Sequence, residues 1–255
     1  MRALILAAGR GSRMRGLTAH KPKCLVELAG KTLLDWQLSA LRESGIEEIA
    51  VLRGYRAEAL AGPGYKVFDN PRWAQTNMVS TLLCADSWLR GGECIISYAD
   101  ILYHPDTVRA LAEAKGEIAL TYDRLWKQLW CERFENPLSD AETFRCTTDG
   151  QLLEIGRRAS SMSEIEGQYM GLLKTTPLGW NRVFEFLQTL PQPQRDALDM
   201  TGLLARLLSD RVTIQAVGIE GHWCEVDSDE DLAVYEERLG EIMPWRHDWR
   251  WEEAA

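Results

Sequence analysis

Positive charge is what this sequence is short of. Its 255 residues hold 29 Lys and Arg against 38 Asp and Glu, a formal net charge of −9. No basic run offers the surface that would neutralise the phosphates of a duplex. Nucleic acid is therefore not an expected partner, although a small anion, which needs only a few local donors, remains one. Paired cysteines are missing too. The six (Cys24, Cys84, Cys94, Cys131, Cys146, Cys224) lie far apart with no C-x-x-C spacing, which removes a zinc or dithiol site and leaves free thiols in a reducing compartment. No apolar stretch approaches the roughly 18 residues that a membrane span needs. The apolar run from Met1 to Ala8 stops at Gly9-Arg10, too soon for a secretory signal. A cytoplasmic location without a membrane partner is expected. The four histidines (His20, His104, His222, His247) share no motif, so neither a Ser-His-Asp nor a Cys-His set is in view.

What is present is alternation. Strand-like runs at Ala3 to Leu6, Ile49 to Leu52, Lys66 to Phe68, Cys94 to Tyr98 and Ile118 to Tyr122 are separated by helical spacing at Leu33 to Ser44, Met78 to Leu89 and Asp106 to Ala114. That order predicts a mostly parallel sheet flanked by helices. After residue 122 the pattern turns β-rich. Thr143 to Cys146 and Leu152 to Ile155 flank Asp149-Gly150, a hairpin signal, and Gly167 to Lys174 reads as a further strand. Helices at Trp180 to Leu190 and Met200 to Leu208, a strand at Val212 to Val217 and a helix from Asp229 to about Glu241 follow. The expected organisation is one α/β domain over residues 1–243, with residues 123–176 as an insertion that shapes a second ligand pocket. A Trp-rich tail, 244–255, is expected to dock on the body or on the second subunit of a homodimer.

The most informative segment is Leu6-Ala7-Ala8-Gly9-Arg10-Gly11-Ser12-Arg13-Met14, followed by Lys21-Pro22-Lys23. A strand that runs into small residues and two glycines can turn its N–H groups towards a polyphosphate without obstruction by Cβ. Two better-known phosphate loops fail here. A dinucleotide fold needs a third glycine where Met14 stands, and a P-loop needs lysine where Leu17 follows Gly16. The segment resembles instead the L-A-A-G-x-G-x-R-M and downstream P-K signature of the nucleotidyltransferase superfamily, which builds activated sugars and alcohols. The resemblance implies a Rossmann-like fold in which Leu6, Ala7, Ala8, Gly9 and Gly11 wrap an NTP, Arg13 favours the leaving pyrophosphate and Lys23 contacts phosphate near the reacting phosphorus.

An NTP brings Mg²⁺, which prefers one or two carboxylates. Asp100 closes the apolar run Ile95 to Ala99, where open α/β sheets put ligand-binding groups. Asp227 follows Trp223 to Val226 and precedes the last helix. In the resembled family two aspartates hold the metal, and Asp100 and Asp227 match them in order and context. For Asp227 the alternative is a plain helix-start acid, since Ser228-x-x-Asp231 makes a capping pair. A calcium loop over residues 227–238 fails at Leu232 and Arg238.

Beyond the loop, Gly54-Tyr55, Asn70, Asn77-Met78-Val79-Ser80 and Glu225-Val226-Asp227-Ser228 are similar to the phosphocholine cytidylyltransferase group. That similarity implies CTP as donor and Gly54, Tyr55, Asn77 and Ser80 in the nucleotide site. A finer resemblance lies in Ser97 to Ile101 and Glu135 to Thr143, which look like the enzymes that attach CMP to phosphoglutamine on the way to capsular phosphoramidate. A choline head would need an aromatic cage, for which Tyr122, Trp126, Trp130, Tyr169 and Trp223 are candidates. An amino-acid head would need a cation such as Lys127 or Arg133. A phosphate-monoester acceptor is already mostly dianionic at neutral pH, its second pKa being about 6, so no general base is required. Two alternatives stay open: a sugar-1-phosphate nucleotidyltransferase, and a nucleotide-binding regulatory protein without catalysis.

Overall fold

The computed structural model describes residues 1–251. Strand β1 (Arg2–Ala7) is buried along almost its whole length, as the middle strand of a parallel sheet must be. Past the phosphate-loop segment, the short hairpin β2 (Glu27–Leu28) and β3 (Lys31–Thr32) leads into α1 (Leu33–Glu43), whose N-terminus is capped by the Thr32 hydroxyl. Strands β4 (Glu48–Arg53) and β5 (Lys66–Asp69) extend the sheet on one side of β1.

One helix was expected over Met78 to Leu89, and the structure has two, α2 (Met78–Leu83) and α3 (Asp86–Arg90). The break at Cys84-Ala85 lets Asp86 accept the Trp180 indole N–H at 2.8 Å and lets Trp88 reach the Ala3 carbonyl at 3.3 Å. Tertiary contacts here override a continuous helical pattern. Strand β6 (Cys94–Tyr98) then lies on the other side of β1, and the chain turns at Ala99-Asp100 into β7 (Ile101–Tyr103), α4 (Pro105–Glu113) and β8 (Ile118–Asp123).

The segment expected as an insertion divides in two. Helix α5 (Trp126–Arg133) and the antiparallel pair β9 (Glu142–Cys146) and β10 (Leu152–Arg158) stand beside the main sheet, with β10 packed on a later helix. Strand β11 (Gln168–Thr175) instead enters the main sheet between β6 and β8, antiparallel to both. Helices α6 (Pro177–Thr189), α7 (Gln192–Ala197) and α8 (Met200–Ser209) precede β12, which spans Gln215–Ile219 rather than Val212 to Val217. Strand β13 (Trp223–Glu225) and α9 (Asp229–Leu239) follow.

The resulting sheet has the order β12-β8-β11-β6-β1-β4-β5, and β11 runs against the other six strands. Apolar cores cover both of its faces, with Ala3 and Ile5 on one side of β1 and Leu4 on the other. The tail docks on its own body. Trp249 is fully buried and meets Trp36 edge-on, and the Trp245 indole donates to Glu132 at 3.0 Å. His247 reaches Asp123 at the end of β8, 2.9 Å away and fully buried with it. Residues 252–255 of the expected tail lie outside the described residues.

Candidate active site

Strands β1 and β6 are parallel neighbours with Leu6 opposite Tyr98, so the residues after both strands emerge at one edge of the sheet, where such folds bind ligands. A cleft of about 320 Å³ opens there. Leu6, Ala7, Ala8, Gly9, Gly11, Arg13, Lys23, Asn77, Asp100 and Asp227 all line it. Gly11 is in the left-handed region (φ 67°), and a Cβ on it would come within 2.7 Å of the Lys23 side chain. Glycine at this position thus lets the loop turn and lets Lys23 lie against it.

Asp227 arrives by a longer route. Strand β13 pairs antiparallel with β7, setting Glu225 opposite Ile101, and the Val226 N–H donates to the Asp100 carbonyl at 2.8 Å. The two aspartates are thereby brought face to face across Lys23, whose Nζ donates to Asp100 at 2.8 Å and to Asp227 at 2.6 Å. Arg13 donates to the other oxygen of Asp227. Capping falls to other groups. The Ser228 hydroxyl and the Asp231 carboxylate form a reciprocal capping box on α9, and Asp231 also accepts the Asp227 N–H at 2.8 Å. The Asp227 side chain is left free to face the cleft.

The charges are strongly coupled. Burial would push the Lys23 ammonium down, but the carboxylates of Asp100 and Asp227 outweigh it and hold the group above its ordinary value. Burial pushes Asp227 up, yet Lys23 and then Arg13 bring its carboxyl below the usual range. A third acid joins them. Carboxylate oxygens of Asp100, Glu225 and Asp227 all lie within 4.8 Å of one another. Burial raises the Glu225 carboxyl to about 7 against the pull of Arg133, and the charges of Asp227 and Asp100 add to the rise. Glu225 was absent from the metal candidates. The signal was available, because Glu225 and Asp227 are two apart on an extended segment and so share a face.

Several expected positions fall elsewhere. Tyr55 buttresses the loop from behind: its N–H donates to the Ala8 carbonyl at 2.9 Å and its hydroxyl to the Thr18 and Ala19 carbonyls. Gly54 is pressed there too, since a Cβ would stand 2.6 Å from both the Ala8 carbonyl and the Trp73 side chain. Ser80 turns away from the cleft to Arg195 and Asp196. Trp73, Thr76, Met78 and Thr81 line the wall in its place, and Trp73 went unnoticed because no pattern sets it apart from a core aromatic.

The acceptor-side candidates need correction. Arg133 is almost fully buried and committed to Asp231 and Glu225, each at 2.9 Å, so it has no donor face to offer a ligand. Trp126 is in the core, and Tyr122 is stacked on Phe144 at 4.6 Å. Lys127 is exposed on α5 and does not line the cleft. Tyr169 alone comes near, packed edge-on against the cleft residue Tyr98 at 5.8 Å.

The model of the MobA-like NTP transferase domain matches residues 3–151, which carry the loop, Lys23 and Asp100. The chain belongs to this family. As a member it is a nucleotidyltransferase. Among its relatives, the CTP:phosphoglutamine cytidylyltransferase of Campylobacter jejuni is 39% identical over 254 residues, covering 93% of this chain and all of the relative. The fold is shared with the inositol-1-phosphate CTP transferase of T. maritima (TM-score 0.74, 17% identity, 95% of this chain and 98% of that one). It is shared also with the CTP:phosphocholine cytidylyltransferase of Streptococcus pneumoniae (TM-score 0.71, 20% identity, 93% and 98%). Among the described residues no helix is long and apolar enough to cross a membrane.

Proposed function

We propose that this chain moves CMP from CTP onto phosphoglutamine, or a small phosphorylated molecule of the same kind, and releases pyrophosphate. The observation that carries the chemistry is the convergence of Lys23, Arg13, Asp100 and Asp227 on the cleft formed by the glycine loop, with the Glu225 carboxylate beside the two aspartates. The full-length likeness to the Campylobacter enzyme supports the choice of donor and acceptor. Of the five candidates for a choline cage, Tyr122, Trp126, Trp130 and Trp223 are buried in the core, and Tyr169 alone comes near the cleft, which weighs against phosphocholine.

The acids fit Mg²⁺. They offer only oxygen donors, and Asp100 Oδ1 is buried with no hydrogen-bond partner among the described residues. Asp100, Asp227 and Glu225 would hold the ion, which when bound supplies positive charge against the phosphate oxygens. Lys23 and Arg13 are paired with these acids in the ligand-free chain. With a triphosphate in the cleft, the same two side chains can donate to its phosphates, Lys23 beside the α-phosphorus and Arg13 beside the departing pyrophosphate. The loop N–H groups orient the chain of phosphates so that a dianionic acceptor oxygen attacks the α-phosphorus in line. Catalysis is then positioning plus electrostatics, with no general base. The product suits modification of capsule or another cell-surface polysaccharide, made in the cytoplasm where CTP is.

The test is a pyrophosphate-release screen of CTP, UTP, dTTP and ATP against phosphoglutamine, phosphocholine, 2-aminoethylphosphonate and sugar 1-phosphates. CTP with phosphoglutamine should give the highest kcat/KM. A higher value for UTP or dTTP with a sugar phosphate would replace this proposal with an NDP-sugar synthase.

A further inference from the structure

The corner that carries Asp100 lies outside the ladder of the main sheet. After β6 ends at Tyr98 the chain turns and β7 begins at Ile101, pairing with β13 alone among the described residues. The carbonyls of the corner therefore need partners of another kind. The Asp100 carbonyl takes the Val226 N–H at 2.8 Å. The carbonyls of Tyr98, two residues before it, and of Ile101, next after it, both receive the side-chain amide of Gln37, at 2.9 and 2.5 Å, and that of Tyr98 also receives the Ser97 hydroxyl at 2.9 Å.

Gln37 projects from α1 within a stripe otherwise apolar, among Leu34, Leu38 and Leu41, and is 1% exposed. Its orientation is fixed by chemistry: a flipped amide would set Oε1 against two carbonyl oxygens. Oε1 is itself buried with no hydrogen-bond partner among the described residues. The unsatisfied Oε1 costs stability, and the donor end offsets that cost by pairing the Tyr98 and Ile101 carbonyls, which an apolar residue of the same length would leave without that donor. What the amide alone can do is hold Tyr98 and Ile101 at one distance from α1, with Asp100 between them.

We propose that Gln37 is a positioning residue for the acid cluster, clamping the Tyr98 and Ile101 carbonyls and so fixing Asp100 opposite Asp227 and Glu225. This rests on Asp100 being a metal-binding acid. Groups that orient a metal ligand from behind commonly change metal affinity by about 10–100-fold when removed.

The experiment titrates Mn²⁺ into the full chain, with free ion followed by electron paramagnetic resonance. Mg²⁺ dependence of pyrophosphate release and thermal melting are measured on the same samples. Asp100→Asn is the control: unchanged Mn²⁺ affinity there would remove the metal role of Asp100 and Gln37's role with it. With that control passed, Gln37→Met, equal in length but without donors, should weaken Mn²⁺ about ten-fold. It should raise the Mg²⁺ requirement by a similar factor, and the melting temperature should fall, because the Ile101 carbonyl loses its donor, while the transition stays cooperative. Gln37→Glu, which turns oxygens towards the two carbonyls, should do at least as much. Wild-type Mn²⁺ affinity in either folded variant would overturn the proposal while leaving Asp100 in place. Failure of both variants to fold would also overturn it, by making the residue a requirement of the fold.

Discussion

The two walls of the cleft are built differently. One is nearly continuous in sequence: Leu6 to Arg13 and then Lys23, held by the end of β1 and a backing of Gly54 and Tyr55. The other is assembled from two distant stretches, one carrying Asp100 and the other Asp227 with Glu225 beside it, joined by the short β7–β13 pairing, the Val226 to Asp100 hydrogen bond and the Arg133 clamp. A continuous wall can be recognised from residue order alone, because neighbouring residues share one backbone turn. An assembled wall depends on register between distant strands, so single residues carry little signal until the pairing is known.

The largest effects should come where the walls meet. Lys23→Ala and Asp100→Ala are each expected to lower turnover by about 10³-fold while the chain still unfolds cooperatively, measured by pyrophosphate release and thermal melting. Next come residues that hold the assembled side without touching ligand. Trp126→Ala opens a core cavity, and His247→Ala strips the buried Asp123 of its side-chain partner at Oδ2, leaving only the Leu125 and Gly221 N–H groups on Oδ1. Each should destabilise by about 3 kcal/mol in urea unfolding, with no change in which acceptor is preferred. On the continuous wall, Gly54→Ala forces a Cβ against the Ala8 carbonyl. That should raise the KM for CTP roughly ten-fold, the equivalent of about 1.4 kcal/mol of overpacking, without altering the acceptor KM. A smaller effect is expected with pH. Asp227 is held below its ordinary value of 3.8 by Lys23 and Arg13. Its contribution to metal-free stability is therefore present above that value and lost as pH falls through the lower folded value, which urea midpoints between pH 5 and 3 will show. Lys127→Ala, exposed and away from the cleft, should leave every kinetic constant within about two-fold.

The same contrast decides how much was legible beforehand. The parallel sheet, its first five strands and the phosphate-loop residues follow from periodicity and from a compact motif, and Asp100 follows from its place at a strand end. Asp227 carried two explanations, and Ser228 with Asp231 took the capping one. Arg133 and Trp126 were misplaced because proximity in sequence to a β-rich stretch says nothing about burial. Arg133 is drawn inward by two acids that only the fold brings to it, and Trp126 by the core beneath α5. β11 was missed as a central strand for a related reason: antiparallel insertion between β6 and β8 is a long-range choice that leaves no local mark.

The central claim is that both walls act on one α-phosphorus. CTP labelled at the α- or the γ-phosphorus, incubated with phosphoglutamine, Mg²⁺ and the chain, tests it directly. The α-label should pass wholly into a CMP-linked product and the γ-label wholly into pyrophosphate, with both transfers lost in Asp100→Ala. A γ-label on the acceptor, or an α-label released as free CMP at the same rate without acceptor, would contradict it.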